Sequence, residues 1–156
     1  MLSVKQVLRF IRFWPPYWAA GIRVHDFSED LTRIGVSMRL SRRNTNYVGT
    51  HFGGNLYSMC DPWYMFILLE HLGSDFIVWD KAAEIEFVTP GKGTVTAEFA
   101  ISLTEIQALK TQLQSQPKIL PVFSTEVLDE TGRTVARVRK TLYVKRKAQH
   151  SEQSNA

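Results

Sequence analysis

The sequence contains a single cysteine and no long run of apolar residues. One cysteine, Cys60, excludes an internal disulfide and any zinc site built on cysteines, so we expect a reducing, cytoplasmic location. The longest stretch without a charged or strongly polar residue, Pro62 to Leu69, is far shorter than the roughly 20 apolar residues of a transmembrane helix. We expect no membrane-spanning segment and no signal peptide, because Arg9 and Arg12 interrupt the apolar N-terminal stretch.

Several functional motifs are also missing. The sequence has no P-loop, G-x-S-x-G, H-E-x-x-H or G-x-G-x-x-G pattern, which argues against the common nucleotide-binding, serine-hydrolase and zinc-protease sites. Lys and Arg number 19 against 15 Asp and Glu, a net charge of +4 that permits anionic partners without demanding nucleic acid. No aromatic-and-basic RNA-binding signature accompanies that charge, so we expect no nucleic-acid partner.

With 156 residues, the chain has the length of one domain. We expect a single domain over residues 1–148 and a disordered polar tail over 149–156. The first 18 residues are expected to carry an amphipathic helix, with Val7, Phe10, Ile11 and Trp14 on its packed face. Membrane-surface contact through the basic face of this helix is the alternative.

Alternating apolar residues predict most of the strands, and two further helices interrupt them. We expect strands over residues 22–27, 34–40, 77–87, 95–101, 122–128 and 135–144. The segment 54–72 is apolar all round, which is typical of a buried helix, and Pro62 should kink it. A capping-box pattern starting at Thr104 predicts a further, short helix after the central one. The arrangement is α+β, with an antiparallel sheet wrapped around one long buried central helix.

Two features between residues 44 and 62 carry the chemistry. Glycines 49, 53 and 54 lie in a loop that runs directly into the central helix, where free N–H groups at a helix start can stabilise an anion or an oxyanion. The second feature is Asp61, a carboxylate within the most hydrophobic segment. Asp61 either is paired with a buried base or caps a local bend, or it acts as a general base or nucleophile in a dry pocket.

The spacing of these two features predicts a homo-oligomer. Gly54 and Asp61 are seven positions apart, or roughly 10 Å along a helix axis at 1.5 Å per residue. One helix therefore cannot bring both groups to a single carbonyl carbon. Two antiparallel copies can, and we expect the site at a homodimer interface, with dimer or tetramer left open.

The motif Asn46-x-x-Gly49-Thr50-x-x-Gly53-Gly54 followed by Asp61 resembles the hotdog-fold acyl-CoA thioesterases of the phenylacetyl-CoA thioesterase-like group. The blocks 52–62, 78–83 and 89–94 are most similar to a bacterial branch known as a domain of unknown function. The resemblance implies a hotdog fold, with the Gly54 amide polarising the thioester carbonyl. It also implies that Asp61 of the facing subunit activates water or attacks directly, and that Asn46 orients the water or the thioester.

The resemblance and the charge pattern suggest further contacts with substrate. Many relatives carry His-Gly-Gly, whereas here Phe52 precedes the glycines and His51 lies one residue earlier. Trp63 could line an acyl tunnel or fill the core, and Lys81 could pair with Glu84 or Asp61. The residues expected to bind substrate are Gly53, Thr50, His51, Phe52, Tyr57, Trp63, Lys81 and Arg139, the last through coenzyme A phosphates or an acidic carrier protein.

The expected activity is hydrolysis of acyl-CoA or acyl carrier protein thioesters, which needs an oxyanion donor and a base but no metal and no cofactor. Coenzyme A would enter only as part of the substrate. The alternatives are a non-catalytic acyl-CoA or lipid-binding module, and a hydratase-like enzyme that would require His51.

Overall fold

The structure, a computed structural model, describes residues 3–147. The predicted tail over 149–156 lies outside these residues. The helices and strands are α1 (Val4–Phe10), a 3₁₀ turn (Ile11–Phe13), α2 (Pro15–Ala20), β1 (Ile22–Phe27), β2 (Arg33–Arg39), α3 (Gly53–Ser58), α4 (Trp63–Leu72), β3 (Phe76–Phe87), β4 (Thr94–Ala100), α5 (Leu103–Ser115), β5 (Lys118–Ile119), β6 (Val122–Leu128) and β7 (Thr134–Arg146).

One antiparallel sheet covers the central helical segment formed by α3 and α4. The strand order is β1-β2-β4-β6-β7-β3, and the short β5 pairs with β7. The inward-facing residues of the middle strands are buried, as Val36 of β2 and Phe99 of β4 illustrate, and they pack with Trp63 and Ile67 of α4 in one apolar core. The α+β class and the sheet wrapped around a central helical segment are confirmed.

The N-terminal segment differs from the predicted single helix. Pro15 starts a second helix instead of only ending the first, because proline fits the first turn, where its missing N–H would have no partner. The packed face also differs: Leu8 and Ile11 are buried, while Phe10 and Trp14 are exposed. The turn Ile11–Phe13 rotates the chain after α1, so Trp14 does not continue the packed face of that helix.

A β-bulge at Lys81 shifts the alternation of β3. Pairing with β7 slips by one residue between Asp80 and Ala82. An extra residue in a strand sends the following side chains to the opposite face from the one the sequence pattern predicts. Before the bulge, Val78 and Asp80 face inward and Trp79 stacks on Tyr143 on the other face. After it, Ala83 and Ile85 lie opposite the inward-facing Lys140 and Val138, and Lys81 in the bulge itself is exposed. Uninterrupted alternation over residues 77–87 predicts one apolar face along the whole strand, and the bulge shows that this expectation is wrong.

Candidate active site

The central helical segment is interrupted between α3 and α4. Pro62 has no N–H to donate to the carbonyl of Ser58, and the chain uses tighter turns instead. The amide of Cys60 donates to the Tyr57 carbonyl at 2.8 Å, and the amide of Asp61 donates to the Ser58 carbonyl at 3.3 Å. The kink predicted beside Pro62 is therefore a full interruption. Asp61 lies in the break, not inside a helix.

Asp61 is held by a lysine from the sheet. The Nζ atom of Lys140 donates to the backbone carbonyl of Asp61 at 2.7 Å and to its Oδ1 atom at 3.0 Å. The Lys140 side chain is completely buried, whereas half of the Asp61 side chain is exposed. Asp61 is thus not enclosed within the protomer as the sequence suggested. Within residues 3–147 its Oδ2 atom accepts no hydrogen bond, so one oxygen is available to a ligand.

A second carboxylate shares the lysine. Asp80 Oδ1 lies 3.2 Å from Lys140 Nζ, and the Tyr57 ring centre lies 5.4 Å from the same atom. Burial alone would lower the pKa of Lys140, but the hydrogen bond to Asp61 and the charges of both carboxylates raise it above its usual value. Burial raises the pKa of Asp80, and Lys140 partly opposes that effect. The group is a protonated lysine between two aspartates.

Two glycines begin α3 next to aromatic rings. Phe52 is the residue before the helix, and among the described residues the amides of Gly53 and Gly54 donate no hydrogen bond. A Cβ atom on Gly54 would lie 2.5 Å from Cε1 of Phe52, and one on Gly53 would lie 2.9 Å from Cζ of Phe87. Both rings therefore contact the first turn of α3 where larger residues would not fit. These amides are at the positive end of a short helix.

Asn46 shapes the loop that leads to these glycines. Its Oδ1 atom accepts from the amides of Val48 and Thr50 at 3.1 and 3.0 Å, and its Nδ2 atom donates to Thr50 Oγ1 at 2.8 Å. Both ends of the amide side chain are used inside the loop. In the protomer Asn46 is therefore a loop-closing residue, and Thr50 is its partner.

His51 also fixes the loop. It is buried, and its Nε2 atom lies 3.1 Å from the carbonyl oxygen of Gly93. Because a carbonyl only accepts hydrogen bonds, Nε2 carries the proton. Burial lowers the pKa of His51, and the hydrogen bond to Gly93 opposes this effect. A neutral, buried histidine tied to a neighbouring loop has the contacts of a structural residue.

A cleft of about 350 Å³ brings four of the predicted site residues together. Asn46, Thr50, His51 and Gly53 line it, and the apolar side chains of Leu56 and Phe87 form part of the same wall. Asp61 does not line this cleft. The protomer therefore has two separate parts of a candidate site, a cleft beside the start of α3 and the carboxylate at the end of the break.

Three residues predicted to contact substrate lie neither in the cleft beside α3 nor next to the free oxygen of Asp61. Trp63 is fully buried in the core, where its ring packs against those of Tyr17 and Phe99. Arg139 is exposed and pairs with Glu84 at 3.5 Å, whereas its neighbour Lys140 is buried beneath the sheet. Lys81 is exposed in the bulge, and among the described residues it forms no ion pair, so the expected pairing with Glu84 or Asp61 is wrong.

Sequence reasoning missed the partners of Asp61. Lys140 interrupts the apolar phase of β7, and that interruption was the available signal for a buried charge that requires a carboxylate. Asn44 was also missed. It is buried, and its Nδ2 atom donates to the carbonyls of Ala20 and Arg39, both at 2.8 Å, which anchors the glycine loop to α2 and β2. In the described part of the chain, no group of three His, Cys, Asp or Glu residues could hold a metal ion.

Solved structures share this fold. A protein of unknown function from Pseudomonas aeruginosa, PA5026, described as a probable thioesterase, superposes with a TM-score of 0.81 at 18% identity, covering 94% of this chain and 97% of that one. The thioesterase HI1161 from Haemophilus influenzae gives 0.68 at 15%, covering 97% and 96%. PaaI from the phenylacetic acid degradation operon of Escherichia coli gives 0.60 at 18%, covering 94% of both chains.

These likenesses confirm the hotdog fold, and at such identities they show the fold alone. A search of curated proteins found no match. A family model described as "Domain of unknown function (DUF4442)" matches residues 4–144. That match spans most of the chain, from the first helix to the last strand, and the chain therefore belongs to the DUF4442 family.

Proposed function

We propose that this protein is a thioester hydrolase that acts on acyl groups carried by coenzyme A or acyl carrier protein. The observation that carries the proposal is the position of Asp61. A break in the central helical segment presents its carboxylate half exposed, and Lys140 holds one oxygen while the other has no partner in the described residues. The fold that the chain shares with the thioesterase HI1161 supports the same activity.

Asp61 would act as a general base on water or attack the thioester carbonyl itself. In the first route its free oxygen takes a proton from water while the water oxygen bonds to the carbonyl carbon. The carbon–sulfur bond then breaks, and the proton passes from Asp61 to the leaving sulfur, which releases a thiol and a carboxylic acid. In the second route a carboxylate oxygen of Asp61 bonds to the carbonyl carbon and the carbon–sulfur bond breaks, so the thiolate leaves and takes a proton from solvent. Water then cleaves the acyl–aspartate anhydride to the carboxylic acid and restores Asp61. Either route produces a negative charge on the carbonyl oxygen, for which we assign the Gly54 amide as donor.

The proposed site needs two copies of the chain, because Asp61 does not line the cleft of its own chain beside the start of α3. The outer edge of β3 supports such a pairing. β3 is the last strand of the sheet and is hydrogen-bonded to β7 on one side, while Trp79 and Phe87 are exposed large hydrophobic residues on it. Antiparallel pairing of β3 with its copy would bring two central segments alongside each other in opposite directions.

Release of free thiol from a panel of acyl-CoA thioesters tests the activity. We expect turnover by the wild-type protein and a loss of at least about a hundredfold in Asp61→Asn, which keeps the shape but not the charge. Glu70→Gln is a matched control, because Glu70 is an exposed carboxylate on α4 outside the proposed site. Equal rates in wild type and Asp61→Asn would remove Asp61 from the mechanism, and no release from any thioester would contradict the activity.

The ion pair of Asp61 with Lys140 favours a second candidate, a non-catalytic module that binds acyl-CoA. A lysine 3.0 Å from Oδ1 occupies one oxygen of the carboxylate and also binds the Asp61 carbonyl, so Asp61 has a structural role that needs no catalysis. Such a module would bind acyl-CoA in the cleft beside Gly53 and would release no thiol. Calorimetry with a non-hydrolysable acyl-CoA analogue, run beside the thiol assay, separates the two functions.

A further inference from the structure

Four bulky aromatic side chains on the N-terminal segment are exposed. The exposed fractions are 61% for Phe10, 60% for Phe13, 53% for Trp14 and 59% for Trp18. The segment already packs on the domain through other residues, chiefly Leu8, Ile11, Tyr17 and Ala20. The four aromatic residues are therefore not required to attach the segment to the core. A cluster of this kind usually marks an interaction surface.

Arginines lie next to two of these rings. Arg12, Arg23 and Arg43 line a cleft of about 230 Å³ together with Phe13 and Trp18. The guanidinium of Arg12 lies 4.6 Å from the centre of the Phe13 ring, and that of Arg43 lies 5.0 Å from the Trp18 ring centre. We call this set the basic–aromatic surface. Its members are Arg9, Phe10, Arg12, Phe13, Trp14, Trp18, Arg23 and Arg43.

The charge on this surface has one sign. Residues 1–25 contain four basic residues and no Asp or Glu. The first acidic residue, Asp26, forms an ion pair with Arg33, so its charge is already compensated. A partner that matches this surface must therefore offer both negative charge and an apolar environment that accepts indole and phenyl rings.

We propose that the basic–aromatic surface binds the interface of a phospholipid bilayer that contains anionic lipid. Aromatic rings partition into the boundary between headgroups and acyl chains, and tryptophan in particular favours that depth. Arginine can keep its guanidinium among lipid phosphates while its aliphatic stem follows the rings inward. The helices would lie in the plane of the membrane, since no helix among residues 3–147 is long and apolar enough to cross it.

The proposed dimer would leave the basic–aromatic surface exposed, where a membrane can reach it. The N-terminal segment packs against β1, at the opposite edge of the sheet from β3, where we propose the second copy. A second copy is also a poor partner for the surface itself. A two-fold contact would place the same arginines of both chains against each other, and like charges repel. The inference does not depend on thioesterase activity.

Vesicle co-sedimentation of the full chain tests the proposal. The vesicles are phosphatidylcholine alone, or phosphatidylcholine with phosphatidylglycerol in about a two-to-one ratio. We expect binding to the anionic vesicles, weakened by salt, with a blue shift of tryptophan emission, and weaker binding to phosphatidylcholine. Phe13→Ser/Trp18→Ser should weaken binding by about tenfold or more, and Arg12→Gln/Arg43→Gln should remove the preference for anionic lipid.

Leu103→Ser/Leu120→Ser is the matched control, because both leucines are exposed but lie outside the basic–aromatic surface. Circular dichroism verifies that every variant is folded, which is expected because all substituted side chains are exposed. Absence of wild-type binding to anionic vesicles would overturn the proposal, as would equal losses in the aromatic variant and the control. A lower oligomer mass of the aromatic variant without lipid would show that a second copy covers the surface instead.

Discussion

Lys140 is a charged residue on the inward face of a strand whose other inward residues are apolar. Its ammonium lies within 3.2 Å of carboxylate oxygens from both Asp61 and Asp80. A buried lysine needs such partners, because an unpaired charge in the core costs several kcal/mol. The break at Pro62 also leaves the Asp61 carbonyl free to accept from the same lysine. One side chain therefore anchors the break and orients the carboxylate proposed as catalytic.

Replacing Lys140 should destabilise the protein. In Lys140→Met the methionine fills similar volume, but Asp80 keeps a partly buried charge without a partner. Removing one member of a buried ion pair costs about 3–5 kcal/mol of unfolding free energy. Because Asp61 is half exposed, we expect the lower end of that range, about 3 kcal/mol, for Lys140→Met. Urea unfolding measures the change. Lys145→Met on the exposed face of β7 is the control and should change stability little. A similar loss in both variants would contradict the account.

The contribution of Lys140 should depend on pH at the alkaline end. Its pKa is raised in the folded protein, so its stabilisation is fully present below the ordinary lysine value of about 10.4 and is lost as pH rises through the folded pKa. Burial raises the pKa of Tyr57 and raises that of Cys60 to about 12, so both neighbours lose their protons at a higher pH than exposed groups of the same type.

The measurement is the difference in unfolding free energy between wild type and Lys140→Met. We expect it to be constant from about pH 7 to about pH 10 and to shrink above that. A difference that grows with pH in the alkaline range would mean that the lysine is neutral in the folded protein.

The N-cap of helix α5 lies two residues before the position that the sequence pattern predicts. The sequence pattern pointed to Thr104 as its cap, whereas the structure starts the helix at Leu103, with Ser102 as the cap. The Ser102 hydroxyl accepts from the Glu105 amide at 3.2 Å, and the Glu105 carboxylate accepts from the Ser102 amide at 2.9 Å. Both serine and threonine can cap a helix, so the pattern alone did not select between them.

Two alanine variants distinguish these caps. Ser102→Ala should lower the free energy of unfolding by about 1 kcal/mol, because the Glu105 amide loses its acceptor. Thr104→Ala should change it little, since Thr104 lies inside the first turn and is exposed. Thermal and urea unfolding of both variants provide the check, and a larger loss in Thr104→Ala would restore the sequence-based assignment.

Alternation predicted β2 and β4 well because both strands are buried on one face over their whole length. Val95, Ala97 and Phe99 of β4 are buried and the residues between them are exposed. The phase of β3 could not be predicted in this way. The bulge between Asp80 and Ala82 is set by pairing with β7, and nothing in the local pattern marks it.

The candidate site was predictable only in part. Asp61 and the glycine loop stand out locally, as a carboxylate among apolar residues and as a flexible segment before a helix. The partner of Asp61 does not, because Lys140 is 79 positions away in the chain and the contact depends on how the sheet wraps the central segment. The pairing of Lys81 could not be predicted for a similar reason, because the direction of its side chain depends on the bulge in β3. Alternation did place Arg139 on the exposed face of β7, and its contact with substrate stays a prediction.

Considered as a whole, the molecule separates the two halves of its proposed site. The cleft beside Gly53 and the carboxylate of Asp61 lie at different points of one central segment, so the proposed mechanism needs a facing chain. Two surfaces at opposite edges of the sheet remain available, the outer edge of β3 for a second copy and the basic–aromatic surface for a membrane. The account predicts a dimer with two composite sites.

Subunit complementation tests that prediction most directly. Gly54→Pro removes the proposed donor amide, and Gly54→Ala is its control because both introduce the same Cβ contact with Phe52. Gly54→Pro and Asp61→Asn should each be inactive in thiol release, while Gly54→Ala keeps a measurable rate. In an equal mixture refolded together, half of the dimers carry one intact site, so about a quarter of the wild-type rate should return. A mixture no more active than its inactive parents, beside an active wild type, would contradict the composite site.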